Sequence, residues 1–245
     1  MGQEAKAKLT PVFTILEQAI KVWWRNLKKF ILVYLWGLLF TLIPVVVVFL
    51  FFSLDSWFGP INTVSFRVLG LLILIIGALF ALYFSIRTYI SIFLLVKKDY
   101  HGQELDIFKE SAKYFWPYLG LVVLTTIFIL LWTLLLVIPG IIYSVFYCLA
   151  VYAFFFEGKT GLAAIKRSVH LVGSYWWPVF GRLVVLGIVM WLLMMIVSLP
   201  VSFVTENSIF FHIWNAITQI ISFLIGPIVL LFTYHIYQDL VKIKH

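Results

Sequence analysis

Charged side chains are scarce in this 245-residue chain: Asp, Glu, Lys and Arg make up 11% of it, against 64% hydrophobic residues and a mean hydropathy of +1.09. A soluble domain carries about a quarter charged residues. So few polar groups could not cover a water-facing surface, which excludes an ordinary globule and makes hydrocarbon the expected solvent. Cysteine is nearly absent as well. Cys148 stands alone inside an apolar run, which excludes a disulfide framework or a thiolate metal site within one chain and fits a small buried apolar residue. The five histidines are scattered and form neither a His-x-x-x-His nor a His-Glu pair, so no clustered metal site is expected. All ten carboxylates fall at the ends of apolar runs or between them, leaving no acidic pair at membrane depth for acid–base work. No cofactor is expected. The N-terminus lacks the apolar core and cleavage site of a signal peptide, and Lys6 occupies the place where a myristoylation signal wants Ser or Thr.

What is present is long apolar runs. A spanning helix needs about 20 mostly apolar residues. The first candidate is Phe30 to Leu54, and the second is Val68 to Ile86, held between Arg67 and Arg87. No charge occurs over the 43 residues from Tyr114 to Phe156, a length that suits two spans broken at Ile138-Pro139-Gly140. The fifth run covers Leu183 to Val204, and the sixth covers Phe210 to Leu231, with Gly226-Pro227 expected to kink it. The expectation is an all-α polytopic membrane protein with about six transmembrane helices, residues 1–245 forming a single transmembrane domain.

Lys and Arg are unevenly shared between the connecting segments: six in residues 1–29, four in 97–116, four in 157–182, and Lys242 with Lys244 in the tail. The opposite-side segments hold only Arg67. The positive-inside rule then places both termini in the cytoplasm, with the plasma membrane as the expected location. The same rule accounts for the net charge of +8, so nucleic acid is not implied.

Trp116-Pro117-Tyr118-Leu119-Gly120 is echoed by Trp177-Pro178-Val179-Phe180-Gly181 at an offset of 61, and Pro139 and Pro200 share that offset. Upstream lie the basic stretches Phe108-Lys109-Glu110-Ser111 and Ile165-Lys166-Arg167-Ser168, with a looser copy around Ala19-Ile20-Lys21, Trp24, Lys28-Lys29 and Ile43-Pro44. The pattern predicts three repeats, approximately 9–97, 104–157 and 158–245, each an interfacial amphipathic helix followed by a transmembrane hairpin. In the first stretch Ile15, Ala19, Val22 and Trp23 share one face, and Glu17, Lys21 and Arg25 another; the last sets Leu162, Ile165, Val169 and Val172 against Lys159, Lys166 and Arg167. Two readings are open. These stretches are tethers that fix orientation, or surfaces on which Lys21, Arg25, Lys28 and Lys166 contact anionic lipid headgroups or a partner protein.

Ile138-Pro139-Gly140-Ile141, Glu157-Gly158 and Ala163-Ala164-Ile165-Lys166-Arg167-Ser168 together resemble the middle signature of a bacterial and archaeal integral membrane family, named for the membrane domain of glycerophosphoryl diester phosphodiesterases, and of related uncharacterised families. Gly226-Pro227 followed by Tyr234, Tyr237 and Asp239-Leu240 is similar to that group's closing helix, with Val241-Lys242 where the family places Arg. The resemblance covers roughly residues 105–245 and implies a multi-pass fold. The enzyme activity in the fused members belongs to a separate soluble barrel, so no catalytic phosphodiesterase domain is expected here.

Arg87 has two readings: its head snorkels to phosphates, or the apolar stretch Thr88 to Val96 beyond it is covered and Arg87 is partly buried. In the second reading it needs an acceptor, and an inner-leaflet polar cluster of Arg87, Glu157, Arg167 and Asp239 is expected. On the sixth run Asn215, Gln219 and Ser222 share a face by helical spacing, for interhelical hydrogen bonds or a hydrophilic path. Gly158-Lys159-Thr160 resembles the end of a phosphate-binding loop, but Ala153 replaces the required glycine and no strand precedes it. The function expected is non-enzymatic binding of anionic lipid or a partner protein through the basic cytoplasmic helices. The alternative is a small transporter or lipid-translocating protein using the polar face of the last helix.

Overall fold

The computed structural model describes residues 9–58, 64–205 and 208–244, and the fold is all-α. Lys6 and Lys8, counted above among the basic residues, lie outside the described residues, as does part of the segment after the first apolar run. The helices are α1 (Val12–Arg25), α2 (Leu27–Phe58), α3 (Val64–Lys97), α4 (Glu104–Leu135), α5 (Val137–Tyr147), α6 (Ala150–Glu157), α7 (Gly161–Val172), α8 (Trp176–Ser198) and α9 (Ile209–Ile243), with 3₁₀ turns at Gly173–Tyr175 and Leu199–Phe203. Among the described residues six segments are long and apolar enough to cross a membrane: Leu27–Ser53, Val68–Lys97, Glu104–Leu135, Val137–Glu157, Gly161–Phe203 and Ile209–Ile243. The protein is polytopic.

Two compact units form, Lys28–Trp116 and Met1–Leu27 with Pro117–His245. In the Lys28–Trp116 unit the buried side chains gather toward the end of α3, where Ile90, Phe93, Leu94 and Leu95 are buried together with Phe30 of α2 and Ile107 and Phe108 of α4. Farther along α2 and α3, Leu38 to Leu50 and Leu69 to Leu82 present many exposed Leu, Ile, Val and Phe side chains. Hydrocarbon surrounds such surface at no cost, so packing between these helices rests on dispersion and hydrogen bonds rather than on exclusion of water.

The other unit has its core where α6, α7 and the last turns of α9 meet: Leu149, Ala153, Phe155, Ala164, Leu171, Phe232, Ile236 and Leu240 are buried. α1 lies against α9 through Ile15 and Ala19, which are fully buried. α7 buries Ile165 and Val172, whereas Leu162 and Val169, expected on the same face, are exposed.

The helix breaks follow backbone chemistry. α4 ends one residue before Leu136, which is extended, and α5 starts at Val137. The break therefore precedes Pro139, which sits in the first turn of α5 where a missing N–H loses nothing. Gly140 is required there: a Cβ would lie 2.2 Å from Thr133 Oγ1 and 3.0 Å from Thr133 Cα. Between α5 and α6, Ser168 Oγ donates to Phe146 O at 2.6 Å and accepts from Leu149 N at 3.1 Å, pairing two backbone groups that the break frees. At Leu199–Phe203 the 3₁₀ register brings Pro200, which has no N–H, opposite the Val197 carbonyl. Trp214 Nε1 supplies the missing donor at 2.8 Å. Gly226-Pro227 does not end α9; Trp23 Nε1 donates to the Leu224 carbonyl at 2.8 Å in the turn that Pro227 loosens.

Candidate functional site

α6 stops at Glu157 because Gly158 takes a left-handed conformation (φ +69°), and Lys159 N–H then bonds back to Ala153 O. The Gly158-Lys159-Thr160 sequence is thus a helix C-cap. The cap aims the Glu157 carboxylate at α7 and α9. Arg167 Nε bridges both its oxygens at 2.8 and 2.9 Å, Tyr237 Oη donates to Oε1 at 2.8 Å, and Lys159 Nζ lies 3.3 Å from Oε2. The cap, α7 and, from 80 residues away, α9 converge on one anion. Lys244, beyond the last span, donates to the His170 carbonyl and lies 6.0 Å from the Tyr175 ring centre. Its pKa is lowered by burial and, secondarily, by the Arg167 charge.

Asp239 is elsewhere in the same unit. Its Oδ2 accepts the Thr10 N–H at 3.1 Å, while Arg182 donates to the Thr10 carbonyl from Nη2 at 2.8 Å and Nε at 3.3 Å. Arg182 Nη1 also donates to Pro178 O at 2.9 Å. Beside this clasp lies a groove of about 760 Å³, lined among others by Leu9, Gly173, Trp176, Trp177 and Arg182.

Arg87 belongs to the Lys28–Trp116 unit and is buried, 9% exposed. Its acceptors there are neutral. Nε donates to Ser111 Oγ at 3.1 Å, and Nη2 donates to the Phe108 carbonyl. The guanidinium also stands 4.6 Å from the Phe108 ring centre, 5.4 Å from Tyr83 and 5.5 Å from Phe84. Of the four residues expected to cluster, Glu157 and Arg167 are directly paired. Asp239 holds Thr10, and Arg87 is satisfied by Ser111 and Phe108.

Compared with known protein families, curated proteins and solved structures, this chain matches none.

Lys21, Arg25, Lys28 and Lys166 are all exposed, and Lys21 pairs with Glu17 one turn away at 2.6 Å. That hydrogen bond and the Lys21 charge lower the Glu17 pKa. Asn215, Gln219 and Ser222 are exposed along α9; Asn215 Nδ2 and Ser222 Oγ donate to carbonyls of their own helix, Phe211 and Thr218. Among the described residues no three His, Cys, Asp or Glu side chains gather to hold a metal ion.

Four partners escaped sequence reasoning: Ser111, Tyr237, Thr10 and Arg182. Ser111 and Ser168 carried a signal, since each closes one of the two basic repeat stretches. Both are fully buried, and each donates to a carbonyl while accepting an N–H. A hydroxyl that does both jobs suits a place where helix polarity must be stitched. Thr10 carried none, because its backbone, not its side chain, is gripped.

Proposed function

We propose that this multi-pass membrane protein is a non-enzymatic module whose basic helices bind the headgroups of anionic lipid at the cytoplasmic face of the plasma membrane. The observation that supports it is the arrangement of Lys21, Arg25 and Lys166. All three are exposed on short helices, α1 and α7, whose opposite faces are buried through Ile15, Ala19, Ala164 and Ile165. Lys28 is exposed at the start of α2. Trp24, Trp116 and Trp177, at the entrances to the apolar runs, are 69%, 74% and 73% exposed, as befits indoles at a membrane–water interface. Each Lys or Arg near an anionic surface is worth about 1 kcal/mol, so four together suffice to enrich anionic lipid.

The motif likeness to the family named for the membrane domain of glycerophosphoryl diester phosphodiesterases agrees with a membrane module and is part of the same proposal. A hydrophilic path along α9 has less behind it, since Asn215 and Ser222 return their polar groups to their own helix. The test is native mass spectrometry of the full chain ejected from mixed phosphatidylglycerol and phosphatidylcholine nanodiscs. Enrichment of phosphatidylglycerol by the natural chain, lost when Lys21, Arg25, Lys28 and Lys166 are all changed to Gln, supports the proposal; equal retention of the two lipids by the natural chain ends it.

A further inference from the structure

The basic rim concerns many headgroups; the groove beside Thr10 concerns one. We infer that this groove is a binding site for a single anionic phospholipid, its phosphate held by Arg182 and its glycerol and upper acyl chain lying against Trp176, Trp177 and Leu9. The inference rests on the membrane reading above.

Three observations carry it. The guanidinium has five N–H donors, and its bonds to Thr10 O and Pro178 O use one on each nitrogen. One N–H therefore remains on each terminal nitrogen without an acceptor among the described residues, so the guanidinium keeps donor capacity for the oxygens of a phosphate. Second, the depth is that of headgroups. Trp177 is 73% exposed at the start of α8, and Arg182 lies five residues along the helix, about 7.5 Å deeper. Third, the groove of about 760 Å³ is walled mainly by apolar side chains around this one cation. That is a charge at one end of an apolar slot, the polarity of a phospholipid rather than of a free anion. Asp239 keeps its carboxylate on the Thr10 N–H and so fixes the segment that borders the slot.

The other Trp-Pro copy lacks the device. Sixty-one residues before Arg182 stands Leu121, which is buried. The arginine thus belongs to this groove and is not a general feature of the motif.

The test uses the full chain in neutral detergent, titrated with dioctanoyl phosphatidylglycerol, with dioctanoyl phosphatidylcholine, or with inorganic phosphate as competitor, and read by native mass spectrometry. The expected result is one retained phosphatidylglycerol, no comparable phosphatidylcholine, and no displacement by phosphate. Arg182→Gln weakens retention by about tenfold or more, the loss of a charge-assisted pair. Gly173→Leu does the same sterically. Gly173 lines the groove, a Cβ there meets nothing within 4 Å and its backbone is right-handed helical, so the added side chain is expected to narrow the groove without displacing the Arg182 bonds. This variant keeps the test decisive if Arg182→Gln fails to fold. Retention unchanged in Gly173→Leu, equal retention of phosphatidylcholine, or displacement by phosphate overturns the inference. The variant with Gln at positions 21, 25, 28 and 166 separates the two readings: it keeps the groove lipid, whereas loss there with retention in Gly173→Leu assigns the lipid to the rim and overturns the groove.

Discussion

Tyr237 Oη and Glu157 Oε1 stand 2.8 Å apart, joining the end of α6 to the last helix across 80 residues of sequence. The phenol donates, and Arg167 supplies the countercharge from α7. A hydrogen bond to a charged group is worth about 1.5–3 kcal/mol, so Tyr237→Phe is expected to lower detergent-state stability by that order. Glu157→Ala is expected to cost more, about 3 kcal/mol, because Arg167 is only 15% exposed at its side chain and loses its carboxylate. Thermal unfolding followed by circular dichroism in detergent checks both. Equal midpoints for Glu157→Ala and the natural chain would mean that the three-segment junction does not hold this unit together.

Arg87 is a buried cation that finds hydroxyl, carbonyl and three aromatic faces but no carboxylate among the described residues. Ser111→Ala should therefore cost about 1–3 kcal/mol, the penalty of leaving a buried donor unpaired. Arg87→Lys should not be a conservative change, because an ammonium cannot serve Ser111 and Phe108 while lying flat against a ring. The measurement is fluorescence-detected size-exclusion of Ser111→Ala, Arg87→Lys and Arg87→Met after a heat step. Full recovery of Arg87→Lys would show that charge alone, without the planar fork, meets the need.

The spans were legible in the sequence because they depend on composition over twenty residues, which no tertiary contact can change. Phe30 to Leu54 became Leu27–Ser53, and the 43 uncharged residues did divide into two spans, the second of them broken between α5 and α6. What could not be read was where a helix stops when a cation does not stop it. Arg87 marked the end of the second apolar run, yet α3 continues to Lys97 because Ser111 and the Phe108 carbonyl receive the guanidinium. The break before Pro139 shifted to Leu136 for a related reason, since proline is tolerated in a first turn. Charge partners were the least legible. Asp239 binds a backbone N–H 229 residues away, and nothing in its local sequence distinguishes that from pairing with a side chain.

Gly140 permits the tight turn between α4 and α5, with Thr133 filling the space a side chain would need. Gly140→Ala is expected to destabilise by about 1–3 kcal/mol through overpacking. Thr133→Ala removes the atom 2.2 Å away but not the backbone carbon at 3.0 Å, so the double variant should recover only part of the loss. Unfolding midpoints of the two single variants and the double variant form a thermodynamic cycle. Strict additivity would place the cost of Gly140→Ala in something other than the Thr133 contact.

The orientation proposed from the lysines and arginines makes its own prediction, and the chain is well suited to the measurement. Cys148 is its one cysteine, so Cys148→Ala gives a background free of thiols. His101, Thr160 and Thr205 are exposed and lie between helices: the first two follow the second and fourth spans, and the third follows the fifth. With an odd number of crossings between Thr160 and Thr205, a single thiol at each must report opposite compartments, whereas His101 and Thr160 are separated by two crossings and must agree. A membrane-impermeant maleimide applied to intact cells should label Thr205→Cys and leave His101→Cys and Thr160→Cys unlabelled until the membrane is permeabilised. The reverse pattern would keep the six crossings but turn the protein over, putting the basic helices away from the anionic leaflet. Labelling of all three in intact cells would defeat the six-span topology itself, since no arrangement of an odd number of crossings puts Thr160 and Thr205 on one side.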